Sequence, residues 1–208
     1  HQNCRTGGSH VGKSAIPNNA ARTTAAACLI LMLVLGVAGS VSAAPTCADD
    51  GCVDVVAVDG LIDEIEATNI IDAIERANAD RGVEAVVLQM DSEGTAVSVE
   101  RLTEVAIAIE ESSVPVTAWI GPSGAVALGG SAELVAIADS SGIAPGAEIG
   151  KVGAQRLPVD RFGELFTGDA AVGGNRSFEG EEAVEAGLVD RFAPIVRDHI
   201  VNIDGVQS

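Results

Sequence analysis

Three short apolar runs, separated by stretches of helical periodicity, constrain this chain more than any other feature. Val53-Asp54-Val55-Val56-Ala57-Val58, Ala85-Val86-Val87-Leu88-Gln89-Met90 and Val114-Pro115-Val116-Thr117-Ala118-Trp119-Ile120 have the length and β-branched content of strands. The second is apolar throughout, as expected of a parallel strand covered on both faces. Ile65, Ile70, Ile71, Ile74 and Ala77 mark one side of a helix from about Glu64 to Asn78. Leu102, Val105, Ala106 and Ile109 do the same from about Ser98 to Glu111. Strand and helix alternating across short loops predict an α/β domain with a mostly parallel sheet.

The third run leads into the part of the chain best suited to chemistry. Gly121-Pro122-Ser123-Gly124 is a turn signal. The small residues Ala125-Val126-Ala127-Leu128-Gly129-Gly130-Ser131, continuing to Asp139, predict a closely packed helix after it. A strand that turns abruptly into a buried helix can hold a nucleophile beside main-chain N–H donors. Further on, Gly142–Gly146 reads as a short strand or connector and Lys151–Ser177 as loop. Glu179–Ala186 reads as a short helix stopped by Gly187, and Leu188–Phe192 as a last strand.

The N-terminal region carries a different signal. Ala25 to Ala38 is an uncharged apolar run preceded by Arg22, and Val41-Ser42-Ala43 fits a signal-peptidase site. The layout predicts a secretory signal peptide, with an uncleaved membrane anchor as the alternative. Either way residues 1–44 form an N-terminal extension, residues 45–52 a short Cys-containing linker, and residues 53–208 an extracytoplasmic domain. Export makes a Cys47–Cys52 disulfide the expected state of those two cysteines. Gly7-Gly8-Ser9-His10-Val11-Gly12-Lys13-Ser14 matches the P-loop pattern, but no strand leads into it, and a phosphate cradle requires one.

Charge narrows the partners. Residues before Asp49 carry only Arg5, Lys13 and Arg22, whereas the remainder sets nine Lys/Arg against thirty Asp/Glu, a net of −21. A surface this acidic repels phosphate, which excludes nucleic acid. Two cysteines are too few for a structural zinc site, and neither metal nor cofactor is expected.

The order of five motifs resembles a known group. Asp59-Gly60-Leu61-Ile62-Asp63, Val86-Val87-Leu88-Gln89-Met90-Asp91, Pro122-Ser123-Gly124-Ala125, Ala144-Pro145-Gly146 with Ile149-Gly150, and Glu181–Asp190 are similar to the ClpP/crotonase superfamily. Within it the chain most resembles the NfeD-like membrane-bound serine proteases of the ClpP class. The resemblance covers roughly Val53 to Gly205. It implies a ClpP/crotonase-like spiral of β-α units with a mostly parallel sheet. It also implies a peptide or membrane-protein partner, membrane association and a homo-oligomer.

Active relatives resemble Ser–Lys dyad proteases, and this sequence departs from that pattern at each catalytic part. The family nucleophile position falls on Gly129, which has no side chain to attack with. The oxyanion donors, a Gly-Gly in the family, become Gly94-Thr95. Lys151 is the only lysine beyond Lys13. The resemblance therefore implies a catalytically degenerate homologue acting as a binding or scaffold module. The alternative is an endopeptidase using an unaligned Ser131–Lys151 dyad on apolar peptides. Ser123 and Asp91 read as turn residues. His199 reads as a surface histidine on an amphipathic terminal helix, and Asn175-Arg176-Ser177 fits a glycosylation sequon.

Overall fold

The structure, a computed structural model, describes residues 51–167 and 174–206. The leader, the P-loop-like stretch and Cys47 lie outside the described residues, while Cys52 is held in a disulfide. Elements follow in the order β1 (Cys52–Ile62), α1 (Glu64–Ala79), β2 (Val83–Thr95), α2 (Val99–Glu110), β3 (Val116–Ile120), β4 (Val126–Leu128) and α3 (Gly130–Ile137). Then come β5 (Ser141–Ile143), β6 (Glu148–Gly150), α4 (Val159–Phe162), β7 (Ser177–Glu179), α5 (Gly180–Glu185), β8 (Arg191–Phe192) and α6 (Val196–Ile200).

The two long helices start where the sequence provides caps. Asp63 Oδ1 accepts the N–H groups of Ile65 and Glu66, both at 2.9 Å, and Ser98 Oγ accepts that of Arg101 at 3.2 Å. Their apolar faces bury Ile70 and Ile74 on α1 and Leu102, Val105 and Ile109 on α2. Arg101 joins the helices at their first turns through Glu64, 3.3 Å away, and the hydroxyl of Thr68 at 2.6 Å.

Eight strands run in the order β7-β6-β4-β2-β3-β5-β8, with β1 also on β2. Every pairing is parallel except β6 with β7. The long β2 serves two layers: its first half lies between β1 and β3, and its end turns to pair Ser92 with Ala127 of β4. This is the expected α/β spiral. The core is aliphatic, and Trp119 is buried with its indole N–H donating to the carbonyl of Ala193 at 2.9 Å. Among the described residues no helix is long and apolar enough to cross a membrane.

Three local expectations need correction. Val126–Leu128 is strand rather than helix, because it completes a parallel pairing with both β2 and β6. The helix therefore begins only at Gly130. The strands β6 and β7, three residues each, escaped notice because alternation has no length over which to show. His199 is not on the surface but fully buried, with Nε2 3.1 Å from Thr117 Oγ1. The terminal helix turns it inward onto Gly142, where a Cβ would stand 2.6 Å from Nδ1.

Candidate functional site

The site is the junction between β4 and α3, where the chain passes from strand to helix in one residue. That residue is Gly129, with φ 59° and ψ −125°. The conformation is strained for any residue with a Cβ and open to glycine. The junction is held on both sides. The N–H of Gly129 donates to the carbonyl of Gly150 at 2.9 Å, and its carbonyl accepts the N–H of Glu133 at 3.3 Å. A Cβ built on Gly129 would find only the carbonyl oxygen of Lys151, at 3.8 Å, an ordinary contact. The fold thus keeps room for a side chain that the sequence does not supply.

The neighbouring glycine is different. A Cβ on Gly130 would lie 2.5 Å from Thr95 Oγ1 and 2.9 Å from its Cγ2. Thr95 therefore packs against the first residue of α3, which brings the end of β2 beside the elbow. Gly94, at φ 142°, donates its N–H to Ser92 Oγ at 3.3 Å and pairs with Leu61 of β1. The structure brings Gly94, Thr95 and Gly129–Gly130 together.

It does not join Ser131 to Lys151. Ser131 is fully buried, and its hydroxyl donates to the carbonyls of Leu128 at 2.8 Å and Ser92 at 3.0 Å. Those bonds tie the first turn of α3 to the ends of β4 and β2. Lys151 is exposed, and among the described residues its side chain has no hydrogen bond or ion pair to Ser131 or any other group. Its backbone is nevertheless unusual. Lys151 is the only non-glycine among the described residues with positive φ, at 48°, and its N–H donates to the carbonyl of Arg176 at 2.8 Å.

Sequence reasoning missed two residues at this site, Glu133 and Arg156. Glu133 lies on α3, fully buried, and its carboxylate accepts the main-chain N–H groups of Arg156 at 2.9 and 3.1 Å and of Leu157 at 2.7 Å. The Arg156 guanidinium then reaches the end of β2, donating to the hydroxyl and carbonyl of Thr95 and, at 2.6 Å, to the carbonyl of Val97. One acid and one base thereby lace the elbow helix, the Gly94–Val97 segment and the connection after β6. A charged residue inside the otherwise small-residue run Gly129–Ile137 was the available signal for Glu133. Nothing in the sequence marked Arg156.

Ser123 is exposed and donates to the carbonyl of Pro145, and Asp91 Oδ1 accepts the N–H of Val126 at 3.1 Å, so both hold turns. No cluster of three His, Cys, Asp or Glu side chains suited to a metal exists among the described residues.

No protein-family model matches the chain, and no curated protein sequence does either. Solved structures do. A membrane-bound stomatin-specific protease in complex with a substrate peptide aligns with TM-score 0.61 at 19% identity, over 76% of this chain and 83% of its own. A membrane protease specific for a stomatin homolog from Pyrococcus horikoshii gives 0.60 at 21%, over 73% and 78%. An enoyl-CoA hydratase/isomerase from Acinetobacter baumannii gives 0.56 at 17%, over 74% and 76%. At these identities the likeness is one of fold: the chain has the ClpP/crotonase fold, and its neighbours include membrane-bound proteases and an enoyl-CoA hydratase/isomerase.

Proposed function

We infer that this chain is an extracytoplasmic, membrane-associated homologue of the NfeD-like ClpP-class proteases that binds a polypeptide partner without cleaving it. One observation carries the reading. The elbow position that the family resemblance gives to the nucleophile is a glycine, at φ 59° and ψ −125°. Attack on an amide carbonyl needs an oxygen, sulfur or nitrogen nucleophile at that position, activated by a nearby base. Gly129 offers none, and the serine two residues on is buried with its hydroxyl bonded to two carbonyls.

The partner class follows from the neighbours' substrates, a stomatin homolog and a peptide, and from an acidic surface that repels nucleic acid. Membrane association rests on the neighbours and on the apolar leader. A homo-oligomer built through helix-lined faces is part of the same reading, and sedimentation at micromolar concentration checks it.

The test is labelling with a fluorophosphonate probe alongside an apolar peptide substrate. The unmodified protein should show neither adduct nor cleavage. Labelling at Ser131, with turnover abolished by Ser131→Ala, would replace this reading with the active Ser131–Lys151 endopeptidase.

A further inference from the structure

The turn before β7 carries a group that the candidate site does not use. Asn175-Arg176-Ser177 is the only Asn-X-Ser/Thr triplet in the sequence. In an exported chain such a triplet is an acceptor for sugar on asparagine, provided X is not proline and the asparagine ends on the surface. Asn175 meets both conditions: arginine follows it, and it lies exposed in a turn with Gly174. Its amide is also unengaged among the described residues. Asn69 donates to Glu66, Asn78 accepts from Ser112 and Ser113, and Asn202 donates to the carbonyl of Asp198. The side chain of Asn175 bonds to no described residue, so a substituent on its nitrogen displaces no bond among them. The backbone on either side is fixed. The carbonyl of Gly174 accepts the N–H of Gly153 at 2.7 Å, and that of Arg176 accepts the N–H of Lys151 at 2.8 Å.

We propose that Asn175 is an N-glycosylation site, taking an oligosaccharide from a polyprenyl-phosphate-linked donor as the chain is exported. The amide nitrogen attacks C1 of the first sugar. One C–N bond forms and the C–O bond to the lipid phosphate breaks. The phosphate leaves with the electron pair, and a base of the transferase takes the amide proton. The hydroxyl two residues on is the other half of the triplet, and the fold decides when it can be read. In the folded chain Ser177 Oγ donates to Glu148 Oε2 at 2.6 Å, across the β6–β7 pairing. Transfer therefore precedes that pairing, and the sugar stays outside because Asn175 does. The site borders the elbow without entering it. Lys151, whose N–H is bonded beside Asn175, has the carbonyl that a Cβ on Gly129 would meet at 3.8 Å. A sugar on Asn175 thus stands one backbone segment away from Gly129. The inference rests on the reading of this domain as extracytoplasmic and is independent of whether the elbow binds or cleaves.

Peptide mass spectrometry of the full-length protein tests it, after cytosolic and extracytoplasmic fractions of the cells that encode it are separated. The extracytoplasmic protein should carry a sugar mass on the peptide that contains Asn175. Asn175→Gln and Ser177→Ala, expressed in the same cells, should each abolish it, and Ser177→Thr should keep it. Asn175→Gln alters an exposed, unbonded side chain, so its circular dichroism should match the parent and show that losing the sugar is not losing the fold. Exported protein with a bare Asn175, or with sugar only on other residues, would overturn the assignment and leave the binding reading intact. Protein confined to the cytosol with Asn175 bare would overturn the assignment together with the extracytoplasmic placement.

Discussion

The carboxylate of Glu133 accepts the main-chain N–H of Leu157 at 2.7 Å, inside the protein and next to the elbow helix that carries it. A buried acid bonded to main-chain donors fixes one segment to another, because neither side can find water if the bond breaks. Here it fastens the connection after β6 onto α3 and sets the direction of the Arg156 side chain. The elbow and the end of β2 are therefore held as one unit.

Glu133→Ala should cost about 2–4 kcal/mol, since the N–H groups of Arg156 and Leu157 lose their acceptor. Chemical denaturation measures the loss. Glu133→Gln should recover part of it through its one remaining carbonyl oxygen. A loss below about 0.5 kcal/mol for the alanine variant would show that the lacing is incidental.

Two adjacent glycines should respond oppositely to the same change. Gly129→Ser has room and meets only backbone strain, so a loss of about 1–2 kcal/mol is expected. Gly130→Ser drives its Cβ into Thr95 and should cost about 3 kcal/mol. Thermal midpoints of the two variants, compared side by side, check the order.

Ser131→Ala removes a hydroxyl that bonds two carbonyls. It should lower stability by about 1 kcal/mol and leave binding of any peptide unchanged. A binding titration of the variant separates this structural role from a functional one.

His199 should make the fold sensitive to acid. Burial, followed by the Arg191 cation, lowers its pKa to about 4, with Asp190 opposing. Below its ordinary value of 6.5 the unfolded chain takes up the proton and the folded chain does not. The neutral ring therefore contributes fully above about pH 6.5, and its contribution is lost as pH falls through 4. The whole effect is on the order of 3 kcal/mol. Denaturation between pH 7 and 4 should show the slope, and His199→Leu should flatten it. An unchanged slope would place the proton elsewhere.

An excess of eighteen negative charges predicts a stability that rises with salt. The thermal midpoint should climb between low and molar potassium chloride. A flat response would mean that like-charge repulsion is already relieved within the fold.

The alternation of apolar runs and amphipathic stretches sufficed for the α/β class and for helices α1 and α2 nearly to the residue. These are local properties: a period and a cap. The sequence could not show that Val126–Leu128 pairs across to Ser92 and Glu148, because strand pairing is decided by partners distant in the chain. Nor could it show that His199 faces inward onto Gly142, or that Glu133 and Arg156 lace three segments together. Burial and hydrogen bonding at such positions depend on what the rest of the chain places around them. Only the folded state assigns them.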